Sequence, residues 1–548
     1  MSTPTVASLQ QDVASLQAAV AALQAERSLS ADNANTWWLL SNGILVRLHA
    51  RCPNHTPPSS AAATPHRCDP SDVLDSFATA SQVFFMQCGF GMLEAGSVTA
   101  RGTQNILLKN LLDTSLGCLM WWMAGYGVAF DGTNPFIGVA SSRSLFFTIG
   151  LDEDDEANFN ATSGQVENDA HGEGWAFWWF QFAFAAASAT IVSGAVAERT
   201  QLPAYLAYST MMTIFVYPVV AHWVWSEHGW LSSSNPDAFL GGALDFAGSG
   251  AVHLTGGVAG LVGAAVIGPR PDRFSDPKET FHLPCWSAPS TSPALPLPGH
   301  STVLQALGTF ILWMGWYGFN AGSTLRISGN AAAIAAPVFV RTTLSAATGG
   351  VTAVTLERFR GTGRMWDVGS MCNGILAGLV SVTAGCGTVP VWAAVVHGFI
   401  GACIYRAASN FVLETLRIDD PLDAFAVHGA CGAWGVLAAG LFSNPSYTAV
   451  VTGHEGGGAI YGNGHLLVAN ITYITCTVIW TLVFSLVIFI TLSKLQLLRA
   501  DHRTTRGVDG GSFTNAPGQQ GFDSSKHGAL EPHGLSVQEM QEVQGRKV

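Results

Sequence analysis

Two stretches of the sequence decide the fold: residues 245–253 read DFAGSGAVH, and residues 419–429 read DDPLDAFAVHG. Each carries a histidine, His253 or His428, directly after a valine and among small apolar residues. Two glycines follow each histidine at the same spacing: Gly257 and Gly260 in the first stretch, Gly432 and Gly435 in the second. An ionisable side chain in an apolar segment is costly, so a histidine that recurs in this setting marks a candidate functional site.

A second pair of matching segments lies upstream, with one member before His253 and the other before His428. Gly89 with residues 95–97 (AGS) is echoed by Gly315 with residues 321–323 (AGS). The members of each pair are five predicted helices apart, in the first and sixth and in the fifth and tenth helices, so the second copy enters the membrane from the opposite side. The pattern predicts an inverted repeat, with a binding site near the bilayer midplane between the halves.

The composition is that of a membrane protein. Charged residues make up only 11% of the 548 residues, hydrophobic residues 48%, and the mean hydropathy is +0.30. Eleven apolar runs are long enough to span a bilayer: 78–98, 104–130, 175–197, 203–225, 243–267, 302–323, 331–354, 366–386, 390–411, 422–442 and 465–493. We therefore predict an all-α polytopic membrane protein, with an inverted 5+5 repeat of transmembrane helices and a last, eleventh helix.

The distribution of basic residues predicts the orientation. With the N-terminus outside, the cytoplasmic loops and the tail contain most of the Lys and Arg residues, and the opposite loops contain Arg143 and Arg326. Short positive loops stay in the cytoplasm, so the C-terminus is predicted to be cytoplasmic. The outer loop 131–174 also contains an acidic run at 152–156 and a glycosylation triplet that starts at Asn160.

Three further regions flank or interrupt the apolar runs. Residues 1–30 carry valine and leucine heptads that predict a short extracellular coiled coil of two or three strands. The membrane domain is predicted at 31–498, with disordered insertions at 47–77 and 284–298, and a cytoplasmic regulatory tail follows at 499–548. Cys52 and Cys68 flank a polar stretch, and the sequence leaves open whether they form a disulfide.

Several function classes are excluded at this stage. The net charge of -12 provides no basic surface for nucleic acid. The two histidines have no third metal ligand that repeats in both halves, although Cys431 lies three residues beyond His428, so neither a metal nor another cofactor is predicted. No catalytic residues are predicted either, because no nucleophile, base or metal set clusters or repeats. A simple packing role for each histidine remains the alternative to a functional pair.

Residues 245–253 resemble the signature of the ammonium transporter family (Amt/Mep/Rh), in its eukaryotic Amt-type branch. The resemblance extends over FGMLEAGS at 90–97, SGAVAER at 193–199, GWYGFNAGS at 315–323 and DDPLDAFAVHG at 419–429. It implies a homotrimer in the plasma membrane, in which each subunit has a narrow pore lined by His253 and His428.

The family's binding residues fall on positions that suit this chemistry. The outer recruitment site corresponds to Phe180, Trp225 and Ser323, where π faces attract a cation by ~0.5–2 kcal/mol and a hydroxyl accepts an N–H bond. The pore gate corresponds to Phe184 and Phe319. Without the resemblance, Trp225 reads equally well as an aromatic-belt residue and the other residues as packing residues.

Asp245 and Asp423 are predicted to be structural and electrostatic residues near the two histidines. Asp245 precedes its histidine by eight residues and Asp423 by five, so the two halves differ in spacing. In the tail, GFDSSKHG at 521–528 resembles a conduction-linked motif of the family. The resemblance makes Ser525 a regulatory phosphorylation site, with a cytoplasmic kinase or other regulatory protein as an expected partner.

The predicted function is transport of ammonium, with methylammonium as a second candidate substrate. Ammonium is expected to lose a proton at the gate and cross as NH3, with or without a separate proton relay through the histidines. Two alternatives remain open: an ammonium sensor (transceptor) that signals through its C-terminal tail, and an Rh-like neutral gas channel that moves no charge.

Overall fold

The computed structural model describes residues 70–100, 102–138, 159–160, 165–166, 170–271, 273–274, 294–325, 331–360 and 366–500. The predicted coiled coil, Cys52 and Cys68, the acidic run at 152–156, most of the two insertions, and the tail with Ser525 lie outside these residues. In the described part, the fold is helical apart from one antiparallel pair of two-residue strands, β1 (Phe159–Asn160) and β2 (Gln165–Val166).

Helices cover each of the eleven predicted segments. In chain order they are α1 Pro70–Ser97; α2 Thr103–Met120, Trp121–Gly125 and Tyr126–Phe130; α3 Ala170–Ala195; α4 Leu202–Met211, Met212–Val216 and Tyr217–Trp225; α5 Ser249–Leu254 and Thr255–Ile267; α6 Thr302–Ala321; α7 Ala331–Arg360; α8 Val368–Thr383; α9 Val391–Asn410 and Phe411–Thr415; α10 Phe425–Ala430 and Cys431–Phe442; α11 Pro445–Thr452; and α12 His465–Lys494. The middle piece of α2 and of α4, the first piece of α5 and α10, and the last piece of α9 are π-helical.

Seven of these helices are long and apolar enough to cross a bilayer: Gly174–Ala195, Leu202–Trp225, Ser249–Ile267, Ala331–Phe359, Val391–Thr415, Phe425–Phe442 and His465–Lys494. α1 and α2 bury polar side chains inside the bundle, among them Glu94, Lys109 and Asp113, which lower their hydropathy. α8 is apolar but shorter. The count of eleven spans stays a prediction.

Two predicted boundaries were wrong. The insertion predicted at 47–77 ends too late, because α1 begins at Pro70. Proline suits the first turn of a helix, where its missing N–H removes no internal hydrogen bond. The segment predicted to begin at 243 becomes helical only at Ser249, since Gly248 has a φ of 100°, a left-handed conformation that ends any helix upstream of it.

Glycines pack the first helices of the two repeats against each other. A Cβ built on Gly89 of α1 would lie 2.8 Å from the side chain of Leu312, and one on Gly315 of α6 would lie 2.2 Å from the side chain of Met86. Met86 precedes Gly89 by three residues, and Leu312 precedes Gly315 by three residues. The contact is therefore the same when seen from either half, as a pseudo-two-fold axis requires.

A buried charge cluster joins the loops that follow α3, α5 and α9. Arg270 binds Asp419 through Nε (2.9 Å) and Glu198 through Nη1 (2.8 Å), and Arg273 also approaches Asp419 (3.3 Å). The guanidinium of Arg199 donates to the backbone carbonyls of Gly268 and Asp419. Because Asp419 is fully buried, these bonds hold the ends of both halves together.

Candidate functional site

The two histidines meet in the interior of the helix bundle. His253 is fully buried, His428 is 6% exposed, and their Nδ1 atoms lie 3.2 Å apart. A hydrogen bond between these atoms needs an N–H on one ring and a lone pair on the other, so at least one ring is neutral. Both lie on the π-helical turns that open α5 and α10, a geometry frequently found at functional sites.

Glycines let the two helices come close enough for this contact. A Cβ on Gly257 would lie 2.1 Å from the backbone nitrogen of Gly429, and a Cβ on Gly432 would lie 2.9 Å from that of Leu254. Gly257 follows His253 by four residues and contacts Gly429, the residue after His428. Gly432 likewise follows His428 by four residues and contacts Leu254, the residue after His253. The spacing noticed in the sequence therefore brings the two helices together.

A stack of aromatic rings leads to the histidine pair. Phe184 and Phe319 stack with centroids 4.0 Å apart, and both are buried. On one side, Phe184 contacts Phe180 (4.6 Å) and Trp225 (5.8 Å); on the other, Phe319 lies 5.4 Å from the ring of His253. The contacts run in series from Trp225 to His428.

Comparison with known proteins shows that the family described as Ammonium Transporter Family matches residues 76–514. The chain belongs to the ammonium transporter family. It is similar to Ammonium transporter 1 member 2 of Oryza sativa subsp. japonica, with 40% identity over 74% of this chain and 77% of that protein. Ammonium transporter 1 member 3 of Solanum lycopersicum is 38% identical over 81% of this chain and 91% of its own.

Solved structures of the family share the fold. A protein titled Sensor Amt Protein has a TM-score of 0.65 and 30% identity, and the match covers 79% of this chain and 96% of that one. Saccharomyces cerevisiae Mep2 has a TM-score of 0.63 and 27% identity, with coverage of 79% and 88%. The Oryza and Solanum relatives are named as ammonium transporters, which supports a transport role rather than an enzymatic one.

The three residues matched to the family's recruitment site lie at one end of the aromatic stack. Phe180 and Trp225 contact Phe184, and the indole N–H of Trp225 donates to the carbonyl of Asp245 (2.8 Å). Ser323 follows Gly322, and a Cβ built on Gly322 would lie 3.1 Å from the ring of Phe180. The Ser323 hydroxyl donates to the carbonyl of Phe319 (2.8 Å), so its oxygen lone pairs can accept another hydrogen bond.

Carboxylates cap the N-terminal ends of α5 and α10. Asp245 accepts backbone N–H bonds from Gly248, Gly250 and Ala251. In the other half, Asp420 accepts from the N–H of Phe425 (2.9 Å) and precedes its histidine by eight residues, as Asp245 does. Asp420, not Asp423, therefore matches Asp245 as the cap of the second half.

Asp423 instead ties its loop to α9, because its carboxylate accepts hydrogen bonds from Ser409 (2.8 Å) and Tyr405 (3.2 Å). Cys431, weighed as a metal ligand, directs its thiol to the carbonyls of Gly401 and Ala426.

Sequence reasoning missed the aromatic residues that cover the histidines. Trp316 stacks on His253 with centroids 5.0 Å apart and planes at 15°, and Phe90 lies 6.3 Å from the ring of His428. Each comes from the first helix of the opposite half, directly after the repeat glycine Gly315 or Gly89. The repeat marks the two residues as equivalent, but the sequence does not show that they face the histidines.

Proposed function

We propose that this protein transports ammonium across the membrane, through a pore that passes the Phe184–Phe319 stack and the pair His253–His428. The observation that carries the proposal is the 3.2 Å contact between the Nδ1 atoms of the pair, at the buried end of the aromatic series. Methylammonium is the second substrate that this chemistry suits.

Desolvation explains how such a pore selects ammonium. Removing the hydration of a bare monovalent cation in an apolar medium costs on the order of tens of kcal/mol. An alkali ion has no chemical way to avoid that cost. Ammonium loses its charge when it gives up a proton at the gate, either to water outside the stack or to the histidine relay, and NH3 then passes the stack as a small neutral molecule.

The histidine pair has the hydrogen-bonding groups that such a molecule needs. A neutral ring offers one N–H donor and one lone pair, so the two rings can orient NH3 or pass a proton between Nδ1 atoms. Phe180, Trp225 and Ser323 would hold the cation before deprotonation, by cation–π attraction and one hydrogen bond. Asp245 would cap α5 and orient the cation near the entrance.

The wider setting follows from the sequence and the family. We infer a homotrimer in the plasma membrane, with the N-terminus outside and the C-terminus in the cytoplasm. Ser525 in the tail would be phosphorylated by a cytoplasmic kinase, which adds about two negative charges and alters how the tail binds the basic loops.

Ammonium-evoked current and radiolabelled methylammonium uptake in voltage-clamped cells that express the chain test the function. The wild type is expected to carry flux, and His253→Ala is expected to lower it at least about 10-fold per surface copy, since a group that can both donate and accept a hydrogen bond is lost from the pore.

His397→Ala is the matched control, because His397 is also fully buried but binds the carbonyl of Ser381 (2.6 Å) away from the pair. Flux that survives intact in His253→Ala would remove the pair from the mechanism. Binding of ammonium without any flux in the wild type would instead identify a sensor, and uptake without current or charge discrimination would identify a neutral gas channel.

A further inference from the structure

A small cavity adjoins His428, and His253 is not part of its lining. Its lining includes Phe90, Glu94, Gly194, Asn373 and Leu422 together with His428. The cavity has a volume of about 20 Å³, which is room for one water molecule. An ammonia molecule is of similar size, so it fits this space next to His428.

Glu94 is the acidic residue of this lining. Its side chain belongs to α1 and is 2% exposed, and its carboxylate accepts hydrogen bonds from the amide of Asn110 (2.7 Å) and the hydroxyl of Ser193. Both donors are neutral groups. A carboxylate offers about four lone-pair positions, so these two bonds leave acceptor capacity for a ligand.

The glycine opposite Glu94 keeps the carboxylate accessible. A Cβ on Gly194 would lie 3.6 Å from Oε1 of Glu94 and 3.3 Å from the side chain of Leu422. Any side chain at this position would occupy the space between Glu94 and the opposite wall. The missing side chain therefore leaves the space next to Oε1 open to the cavity.

The repeat argues that packing does not require this charge. Glu94 lies five residues after Gly89, and the residue five after Gly315 in the other repeat is the neutral Asn320. Asn320 is also buried and donates to the hydroxyl of Thr342 (3.0 Å). Since the same fold position accepts an amide in one half, the acid in the other half points to a ligand.

We propose that Glu94 forms an inner ammonium-binding site in the cavity beside His428. There NH3 takes up a proton, from the histidine relay or from water on that side, and the carboxylate accepts an N–H bond and balances the charge of the ammonium that forms. The site rests on the proposed function, because the pore delivers its ligand. It extends the series of contacts beyond the histidine pair and makes the two ends of the pore chemically different.

Three variants separate charge, reach and space at this site. Glu94→Gln removes the charge at nearly constant volume. Glu94→Asp keeps the charge on a side chain that is shorter by one methylene group, and Gly194→Ala fills the cavity. Asp113→Asn is the matched control, because Asp113 is a buried carboxylate that binds Thr190 and Ser209 and is not part of the cavity lining.

The first measurement is the dependence of the ammonium current on ammonium concentration, normalised to surface protein. Glu94→Gln and Gly194→Ala are expected to raise the half-saturating concentration about 10-fold or more, the size of a lost hydrogen bond to a charged group. Glu94→Asp is expected to recover part of the affinity, and Asp113→Asn to keep the wild-type value.

The second measurement is independent of transport. Infrared difference spectra of the purified full chain, with and without ammonium chloride, should show a carboxyl band that ammonium shifts and that Glu94→Gln removes. A wild-type half-saturating concentration in Glu94→Gln, or an infrared band that ammonium leaves unchanged, would overturn the site. A wild type that shows neither current nor methylammonium uptake but shows the band shift would refute the proposed transport and retain the site.

Discussion

Replacing Gly257 by alanine is expected to abolish ammonium flux and to destabilise the folded protein. The added Cβ would lie 2.1 Å from the backbone nitrogen of Gly429 and 2.5 Å from its Cα. Neither atom can move aside as a flexible side chain would, so α5 and α10 must separate, and the Nδ1 contact of the histidine pair must lengthen with them. Overpacking usually costs about 1–3 kcal/mol, and a clash with backbone falls at or above the upper end.

The measurements are flux per surface copy and the thermal midpoint of the purified protein in detergent. Gly117→Ala is the matched control, since Gly117 also lies within a helix and its Cβ would be 3.8 Å from the nearest atom, the hydroxyl of Thr213. Alanine favours a helix over glycine by about 0.5–1 kcal/mol, so this control should be neutral or slightly stabilising. A wild-type midpoint and full flux in Gly257→Ala would contradict the close contact of the two halves.

Replacing Asp419 by asparagine is expected to destabilise the protein by about 3–5 kcal/mol, the cost of breaking a buried ion pair from one side. Asp419 is fully buried and receives bonds from the backbone N–H, Nε and Nη2 of Arg270. Asparagine has nearly the same shape as aspartate, so the loss of stability reports the missing charge and not a newly formed cavity. It would leave the guanidinium groups of Arg270 and Arg273 without their shared counter-ion.

The pH dependence of this effect follows from the pKa of Asp419. Burial alone would raise this pKa, but the charge of Arg270 and the hydrogen bonds from it outweigh burial and lower the pKa below the usual range of an aspartate. A lowered pKa means that the stabilisation is present above the unfolded value of about 4 and is lost only as the pH falls through the lower folded value.

The thermal midpoint of Asp419→Asn should therefore lie below that of the wild type by a constant amount between pH 5 and pH 8. Glu414→Gln is the control, because Glu414 is half exposed and lies 3.9 Å from Arg417, a pair expected to contribute about 0–1 kcal/mol. Equal midpoints for the wild type and Asp419→Asn would refute a structural role for the buried cluster.

The parts of the candidate site that the sequence predicted are those encoded by local spacing. His253 and His428 were singled out because each stands in an apolar segment before regularly spaced glycines, and such a pattern needs no knowledge of neighbours. The cap in the second half could not be identified from the sequence, because Asp419, Asp420 and Asp423 lie within one loop. Only the backbone path decides which carboxylate meets the free N–H of Phe425.

The sequence by itself determined the class of fold, the inverted repeat and the two histidines, because bilayer thickness fixes the length of apolar runs and close helix contact demands glycine. The tertiary structure alone decided that Trp316 and Phe90 cover the opposite half's histidine and that Glu94 borders the cavity beside His428. These contacts join residues far apart in the chain and depend on how each helix is rotated about its axis. Helix rotation is set by side-chain packing across the pseudo-two-fold axis, which no local pattern encodes.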